Sequence, residues 1–259
     1  MLIAQISDLH VGPQFVSSAY EWAVKEIREL KPDVIIASGD FTENGLLREF
    51  NLAAEKLEGL SDFPIISVAG NHDYRSTGYL IYKEIFGEKQ SFNFGNVVFF
   101  TVSTARPDRD EGEVGHRQNL WLGDNLRKNQ SKVKIVVMHH HVVPVPDTGT
   151  DRITIVDAGD VLKTLFVEKA NLVICGHRHR PWMWTVNEMT IAHAGTTSSE
   201  RTRGYFANTY NIIEVDESTG DSKVWLKIVN GKKLEMKEVV TAEETYIPDL
   251  KFRVEEPRE

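Results

Sequence analysis

The sequence predicts an α/β protein whose C-terminal part adds a second, more antiparallel sheet layer. Over the first 180 residues, short apolar runs alternate with amphipathic stretches, as in α/β units. Beyond residue 180 the apolar segments become short and alternating, which is typical of antiparallel strands. The 259 residues can bury one substantial core. We therefore expect one domain over residues 1–245 and a polar, proline-containing surface tail over residues 246–259.

The first five predicted elements are three buried strands separated by two helices. Apolar residues recur at helical spacing from Ser17 to Leu30, and Pro32 stands just beyond the end of that helix. A similar pattern from Leu46 to Leu57 predicts the second helix. The apolar runs around these helices are the predicted strands, Leu2–Ser7, Asp33–Ser38 and Pro64–Ala69.

The same alternation continues through the middle of the chain. Gln118–Lys128 has helical spacing, and Asp157 can cap a further helix that carries Val161 and Leu165. The strands predicted here are Val97–Ser103, Val133–Met138 and Leu172–Cys175. The later alternating segments are Trp182–Val186, Thr190–His193, Asn208–Val215 and Lys223–Val229.

Composition limits the classes of function. The formal net charge is −8, whereas proteins that bind nucleic acid through its phosphates usually carry a basic patch, so a nucleic-acid partner is not expected. No apolar run approaches the roughly 20 residues that span a bilayer. The N-terminal residues lack a basic leader, and the single cysteine, Cys175, fits a reducing compartment. We therefore expect a cytoplasmic protein without a membrane partner.

Asp, His or Asn residues follow five of the predicted strands. In open α/β sheets, functional groups gather at the carboxyl ends of the strands, so these residues are expected at one edge. The five motifs are Asp8-Leu9-His10, Gly39-Asp40, Gly70-Asn71-His72-Asp73, His139-His140-His141 and Gly176-His177-Arg178-His179.

The motifs are weak singly and specific together. Asp8-Leu9-His10 alone could be a strand end with a satisfied histidine, and the two Gly-containing motifs before residue 74 could be turns. Clustered histidines, however, are common metal ligands. Imidazole, carboxylate and carboxamide groups without thiolate suit Mn, Fe, Co, Ni or Zn. Six or seven such ligands exceed one tetrahedral site and suit two ions that share a carboxylate.

In order and spacing, these motifs resemble those of the calcineurin-like metallophosphoesterases over about 180 residues. Within that superfamily the chain is most similar to the cyclic-nucleotide and glycerophosphodiester phosphodiesterases of class III type. The resemblance implies a four-layer αββα sandwich, in which helices flank two mixed β-sheets. The family often has proline directly after its histidine pair or triplet, whereas Val142-Val143-Pro144 follows here, which weakens any specific substrate prediction.

The resemblance also implies a role for each motif residue. One divalent ion would be held by Asp8, His10, Asp40 and His179. The other would be held by Asp40, Asn71, His139 and His177, with Asp40 bridging the two. His72 would be the catalytic acid near the leaving group. His140 and His141 would orient neighbours or line the pocket, and His141, Arg201 and Arg203 are candidate substrate-binding residues.

The predicted reaction is phosphodiester hydrolysis by a hydroxide that bridges the two ions. A phosphomonoesterase is the nearest alternative, and its extra negative charge would call for cations beyond the metals, with Arg178, Arg180, Arg201 and Arg203 as candidates. A superfamily nuclease is disfavoured by the acidic charge. A non-catalytic interaction module of this fold is disfavoured because every expected ligand position is filled. We expect a small-molecule phosphoester substrate, and a homo-oligomer stays open.

Overall fold

Two six-stranded mixed sheets form the centre of the protein. The computed structural model describes residues 1–148, 154–203 and 207–241, so the predicted tail, residues 246–259, lies outside the described residues. The strands are β1 Leu2–Ile6, β2 Val34–Ala37, β3 Ile65–Ser67, β4 Ser91–Phe94, β5 Val97–Thr101, β6 Val133–Val137, β7 Leu172–Cys175, β8 Trp182–Val186, β9 Met189–His193, β10 Thr209–Val215, β11 Ser222–Ile228 and β12 Lys233–Glu235. The helices are α1 Ser17–Leu30, α2 Leu47–Glu58, α3 Gly78–Phe86, α4 His116–Lys128, α5 Ala158–Val167 and α6 Met236–Thr241.

Each sheet combines parallel and antiparallel strands. The first has the order β12-β11-β10-β1-β2-β3, in which β1, β2 and β3 are parallel and β10 to β12 antiparallel. The second has the order β4-β5-β6-β7-β9-β8, in which the four middle strands are parallel and both edge strands antiparallel.

The prediction of a separate C-terminal sheet layer was wrong in one respect. The strands after residue 180 do not form their own sheet, because β8 and β9 extend the second sheet and β10 to β12 complete the first. β1 lies at the junction of the first sheet, where Ile3 pairs with Val34 on one side and Ile213 on the other. Alternation in the sequence indicates antiparallel pairing, but it does not indicate which strand is the partner.

Three hydrophobic cores produce four layers, which confirms the predicted αββα sandwich. Successive side chains of a strand point to opposite faces, so Ile3 packs between the sheets while Ala4 packs under α1 and α2. In the second sheet, Phe99 faces the inter-sheet core and Phe100 packs toward α4 and α5. Each fully buried Ile or Phe contributes roughly 1.5–3 kcal/mol relative to an exposed side chain.

Some elements differ from the sequence prediction. α3, β4, β12 and α6 were not predicted; three of them are short, and four residues separate α3 from the Gly70–Asp73 motif. Asp157 does occupy the N-cap position of α5, but its carboxylate accepts hydrogen bonds from the Val114 and Gly115 amides at 3.1 and 2.7 Å. It therefore secures the start of α4 instead of capping its own helix. Within the described residues, no helix is long and apolar enough to cross a membrane.

The two sheets approach each other at the carboxyl ends of their parallel strands. Gln5 Nε2 in β1 donates to the Cys175 carbonyl at the end of β7, at 2.8 Å. His139, just after β6, donates from Nδ1 to the Ser38 carbonyl just after β2, at 2.7 Å. The five motifs therefore meet between two sheets, and not at the edge of one sheet as the strand pattern alone predicted.

Candidate metal centre

The seven predicted metal ligands converge in this cleft. Carboxylate and imidazole atoms form four groups within which every candidate ligand atom lies within 4.8 Å of the others. The groups are Asp8, His10 and His179; Asp8, Asp40 and His139; His10, Asp40 and His72; and His139, His140 and His177. The side chain of Asn71 reaches the same place, since its Oδ1 atom lies beside His139 and His177.

The first predicted ion site lies around His10 and His179. Their Nε2 atoms are 2.9 Å apart, and His179 Nε2 is 3.3 Å from Asp8 Oδ1. His10 Nε2 is also 3.7 Å from Asp40 Oδ2, so Asp40 borders this group. All four side chains are almost completely buried.

The second predicted ion site lies around Asn71. Its Oδ1 atom is 2.9 Å from His177 Nδ1 and 3.2 Å from His139 Nε2. His139 Nε2 is in turn 3.3 Å from Asp40 Oδ2. The Asp40 carboxylate therefore reaches both groups, as a bridging ligand must.

Contacts at the far side of three rings, two hydrogen bonds and one ion-pair contact, orient the rings. His139 Nδ1 donates to the Ser38 carbonyl, and His179 Nδ1 donates to the Arg201 carbonyl. His10 Nδ1 lies 2.9 Å from Glu43 Oε2. A carbonyl only accepts, so in the neutral tautomer each Nε2 turns an unshared electron pair into the cleft.

This arrangement fits metal cations. Unshared pairs that face one another at 2.9 Å repel unless a proton or a cation lies between them. Asn71 is oriented in the same way, with its acceptor atom toward the cleft. Its Nδ2 donates to Asp110 Oδ1 at 3.3 Å, and its Oδ1 is turned to His139 and His177. The Nδ1 atoms of His139 and His179 and the Nδ2 atom of Asn71 thus point away from the cleft, while imidazole Nε2, carboxylate and amide oxygen atoms point into it.

The electrostatics agree with this interpretation. Burial raises the pKa of Asp8 and Asp40, but the charges of His179 and His139 outweigh burial and lower both pKa values. Burial lowers the pKa of His139, whereas Asp40 and Asp8 raise it to about 9. Both carboxylates are therefore ionised, and their negative charges stabilise a cation in the cleft.

The backbone at the ligands is in an uncommon conformation. Asp8, His10, Asp40, His177 and His179 all have positive φ angles, between 51° and 73°. Non-glycine residues adopt this left-handed region at a cost, and such residues cluster at functional sites. The chain turns sharply at these strand ends, so candidate ligands two residues apart, such as His177 and His179, both point into one cleft.

Two glycines permit the close approach of the motifs. A Cβ atom on Gly70 would lie 2.1 Å from Asp40 Oδ1, and one on Gly176 would lie 2.1 Å from Ser7 Oγ and 2.8 Å from Asp8 Oδ2. Any side chain at these positions would displace a ligand carboxylate. The glycines in these two motifs are thus explained by contact with the ligands.

His72 lies beside the ligands without sharing their orientation. Its amide donates to Asp40 Oδ1 at 2.8 Å, and its Nδ1 donates to the Glu43 carbonyl at 2.7 Å. Its Nε2 accepts from Arg75 Nη2 at 3.2 Å. The structure thus holds His72 at the rim of the cavity, and its role as an acid stays a prediction.

The remaining two histidines of the triplet lie next to His177 but do not line the cavity. His140 uses both nitrogens, since Nε2 donates to the Asp110 carbonyl at 3.1 Å and Nδ1 is 2.8 Å from Thr104 Oγ1. His141 is 1% exposed, with ring centroids 5.8 Å from His177 and 5.5 Å from His193. His141 is therefore buried behind a ligand and not on the cavity wall.

Sequence analysis missed several residues that support the site. Glu43 contacts His10, Asp110 orients Asn71, and Arg75 contacts His72. Asp73 belongs to a recognised motif, yet no role was predicted for it. Its carboxylate accepts from the amides of Gly70, Phe41 and Thr42 and so connects the loops after β2 and β3, while burial and the Asp40 charge raise its pKa to about 6. Only Asp73 had a sequence signal, namely its place beside the ligand Asn71.

A cavity of about 430 Å³ opens over the ligands. Asp110 and Glu111 contribute acidic side chains to its wall. Arg201 and Arg203, both predicted to bind substrate, also line it, together with Arg75 and Arg178. Arg180 is instead fully buried and contacts Asp147 at 3.0 Å.

Metal binding is expected to release a proton from His139. Its pKa of about 9 means that a proton occupies Nε2 at neutral pH, whereas burial lowers the pKa of His10 and His177 and leaves them uncharged. Below pH 9 a divalent ion must displace that proton, so apparent Mn²⁺ affinity should rise about tenfold per pH unit from about 7 to 9 and then level off. Calorimetric titration in buffers of different ionisation enthalpy measures the proton release. Affinity that is constant over this pH range would contradict the prediction.

Comparison with known proteins gives a consistent result. The model of the calcineurin-like phosphoesterase family matches residues 1–181. A Synechococcus protein named "Probable cyclic nucleotide phosphodiesterase" is 28% identical over 192 residues, which are 70% of this chain and 74% of that protein. Glycerophosphodiester phosphodiesterase GpdQ of Enterobacter lignolyticus is 26% identical over 233 residues, 80% of this chain and 83% of that protein.

Solved structures support the fold. A dimetal phosphatase from Danio rerio superposes with a TM-score of 0.67 at 14% identity, covering 91% of this chain and 98% of that one. Purple acid phosphatase PPD1 of yellow lupin superposes with a TM-score of 0.68 at 11% identity, covering 96% of this chain and 56% of that one. At such low identities these likenesses show the fold alone.

Proposed function

Because the chain belongs to the calcineurin-like phosphoesterase family, we propose that it is a phosphodiesterase that uses two divalent metal ions. The observation that carries the proposal is the buried cleft in which His10, His139 and His179 direct their Nε2 atoms toward Asp8, Asp40 and Asn71. A structural zinc site would need four ligands, whereas this cleft offers seven around a shared carboxylate. The cleft also opens to a cavity large enough for a small substrate.

The proposed ligand sets follow the two groups of contacts. Asp8, His10, Asp40 and His179 would hold one ion, and Asp40, Asn71, His139 and His177 the other. The ligand chemistry suits Mn, Fe, Co, Ni or Zn. Two such ions supply positive charge for the phosphate oxygens and lower the pKa of water toward neutrality.

The chain's own residues would orient the metal-binding histidines and protonate the leaving oxygen. The Ser38 and Arg201 carbonyls and the Glu43 carboxylate hold the three histidines in position. His72, 8% exposed at the cavity, would deliver a proton to the leaving oxygen from Nε2. For that step the ring must be doubly protonated, because its Nδ1 proton is already donated to the Glu43 carbonyl.

The preference for diesters rests on the relatives. The proteins named cyclic nucleotide and glycerophosphodiester phosphodiesterases are 28% and 26% identical to this chain, respectively. A phosphomonoesterase is the second candidate, because four arginines line the cavity and a monoester carries more negative charge than a diester. A non-catalytic interaction module is disfavoured by the complete and oriented ligand set.

The test is hydrolysis of bis(4-nitrophenyl) phosphate and 4-nitrophenyl phosphate by the same preparation. We expect metal-stripped protein to be inactive, and Mn²⁺ to restore activity with a higher kcat/KM for the diester. A preference for the monoester would support the second candidate. Absence of activity on both substrates with each of Mn, Fe, Co, Ni and Zn would contradict the proposed function.

A further inference from the structure

The cavity wall carries more positive charge than a simple phosphodiester requires. Two divalent ions against the carboxylates of Asp8, Asp40 and Glu43 leave one positive charge, which already balances the single negative charge of a diester. Arg75, Arg178, Arg201 and Arg203 add four further cations around the same cavity.

Two of these arginines interact with the Glu43 region. Arg201 Nη2 lies 3.4 Å from Glu43 Oε1. Arg75 donates to the Glu43 carbonyl at 2.7 Å and to His72 Nε2 at 3.2 Å, so its contacts orient the rim of the metal cleft. Both therefore have partners within the site.

Within the described part of the chain, Arg178 and Arg203 lack the partners that Arg75 and Arg201 have in the site. Among the described residues, neither has a carboxylate within 4.0 Å, and the buried Nε of Arg178 has no hydrogen-bond partner there. Both side chains line the same cavity over the metal cleft.

Among the described residues, neither acidic side chain of the wall forms an ion pair with Arg178 or Arg203. Asp110 accepts from Asn71, and Glu111 lies 3.3 Å from Arg109 Nη1. Holding two like charges together in a cavity is unfavourable unless an anion binds between them. Guanidinium groups bind phosphate in a bidentate geometry, which suits such an anion.

We propose that Arg178 and Arg203 form a subsite for a second phosphate group of the substrate, carried by the organic part of the phosphodiester. This proposal rests on the proposed function and names its substrate class as phosphodiesters with an additional phosphate. The subsite adjoins the metal cleft, because Arg178 stands between the predicted ligands His177 and His179. Arg203 follows Arg201, whose carbonyl accepts from His179.

A matched substrate pair tests the subsite. Thymidine 5′-(4-nitrophenyl phosphate), with and without a 3′-phosphate, has the same scissile bond and leaving group. We expect Mn²⁺-loaded protein to show a kcat/KM at least about tenfold higher for the 3′-phosphorylated substrate, the effect of one charge-assisted interaction. Equal kcat/KM values, or a lower one for the 3′-phosphorylated substrate, would overturn the proposal.

Variants connect this advantage to the two arginines. Arg178→Gln/Arg203→Gln should bring the ratio of the two kcat/KM values close to one, and Arg203→Gln alone should reduce it. Arg28→Gln is the matched control. Arg28 lies near the C-terminal end of α1 and contacts Asp62. That end of α1 leads into the start of β2, whereas the cleft lies at the opposite, carboxyl ends of the strands. An advantage that persists in the double variant, with an unchanged melting temperature, would overturn the assignment.

A second readout separates this proposal from the proposed function. If the wild-type protein hydrolyses neither substrate, the phosphodiesterase proposal fails, and calorimetry then compares thymidine 3′,5′-bisphosphate with thymidine 5′-phosphate. We expect the bisphosphate to bind at least about tenfold more tightly and the double variant to lose the difference. Equal affinities would overturn the subsite. If 4-nitrophenyl phosphate is the best substrate and depends on the same arginines, they bind the scissile phosphate and the second-phosphate proposal is wrong.

Discussion

Replacing Asp40 with alanine is expected to remove both metal ions and to lower kcat/KM on bis(4-nitrophenyl) phosphate by more than about a thousandfold. Asp40 Oδ2 lies 3.3 Å from His139 Nε2 and 3.7 Å from His10 Nε2, so one carboxylate serves both ligand groups. Its loss also removes the negative charge that raises the pKa of His139. Among the described residues, no other carboxylate lies within 4.0 Å of both histidines.

Metal content, measured by atomic emission, should fall along with activity. Asp62→Ala is the matched control, since Asp62 is 63% exposed, contacts only Arg28 among the described ion pairs, and should retain both metal and activity. Melting curves distinguish loss of metal from loss of fold. An Asp40→Ala protein that keeps two ions per chain and its activity would contradict the assignment of Asp40 as the bridging ligand.

Replacing His72 with alanine is expected to affect substrates according to their leaving groups. An alkoxide leaving group needs a proton, so kcat on glycerophosphoethanolamine should fall by about 10²–10⁴. A nitrophenolate leaves without protonation, so kcat on bis(4-nitrophenyl) phosphate should fall far less. The substitution leaves the bond from the amide of residue 72 to Asp40 Oδ1 available, because that bond involves backbone.

The comparison between substrates is its own control for damage to the metal cleft. Damage would reduce hydrolysis of both esters, whereas loss of an acid reduces only the alkyl ester. His116→Ala, at the exposed start of α4, should change neither rate. Equal losses on both esters would exclude the acid role of His72.

The candidate ligands could be located from the sequence because each motif follows a strand. Strand ends are marked by the change from apolar to polar residues, and Asp8, Asp40, Asn71, His139 and His177 all stand at such a change. The structure places all of them within one cleft. Identification of the family depended on the order of these motifs, and the family match confirms it.

The supporting residues could not be predicted in the same way. Glu43, Arg75 and Asp110 lie in irregular segments, and their contacts with His10, His72 and Asn71 span 33, 3 and 39 positions, respectively. No periodic pattern relates residues 33 or 39 positions apart, and Arg75 and His72 lie outside a helix, where a spacing of three predicts no contact. The arginine cavity was likewise only suggested by Arg178, Arg201 and Arg203, while Arg180 lies apart from it.

The sequence by itself determined the α/β class, most of the strands and helices, and the chemical type of the metal ligands, because these depend on local spacing and side-chain chemistry. Only the tertiary structure decided that the ligands come from two sheets, that C-terminal strands complete both sheets, and which atom of each histidine faces the cleft. The orientation of each histidine depends on which backbone carbonyl or carboxylate lies behind its ring. Packing of the two sheets across the inter-sheet core sets that position.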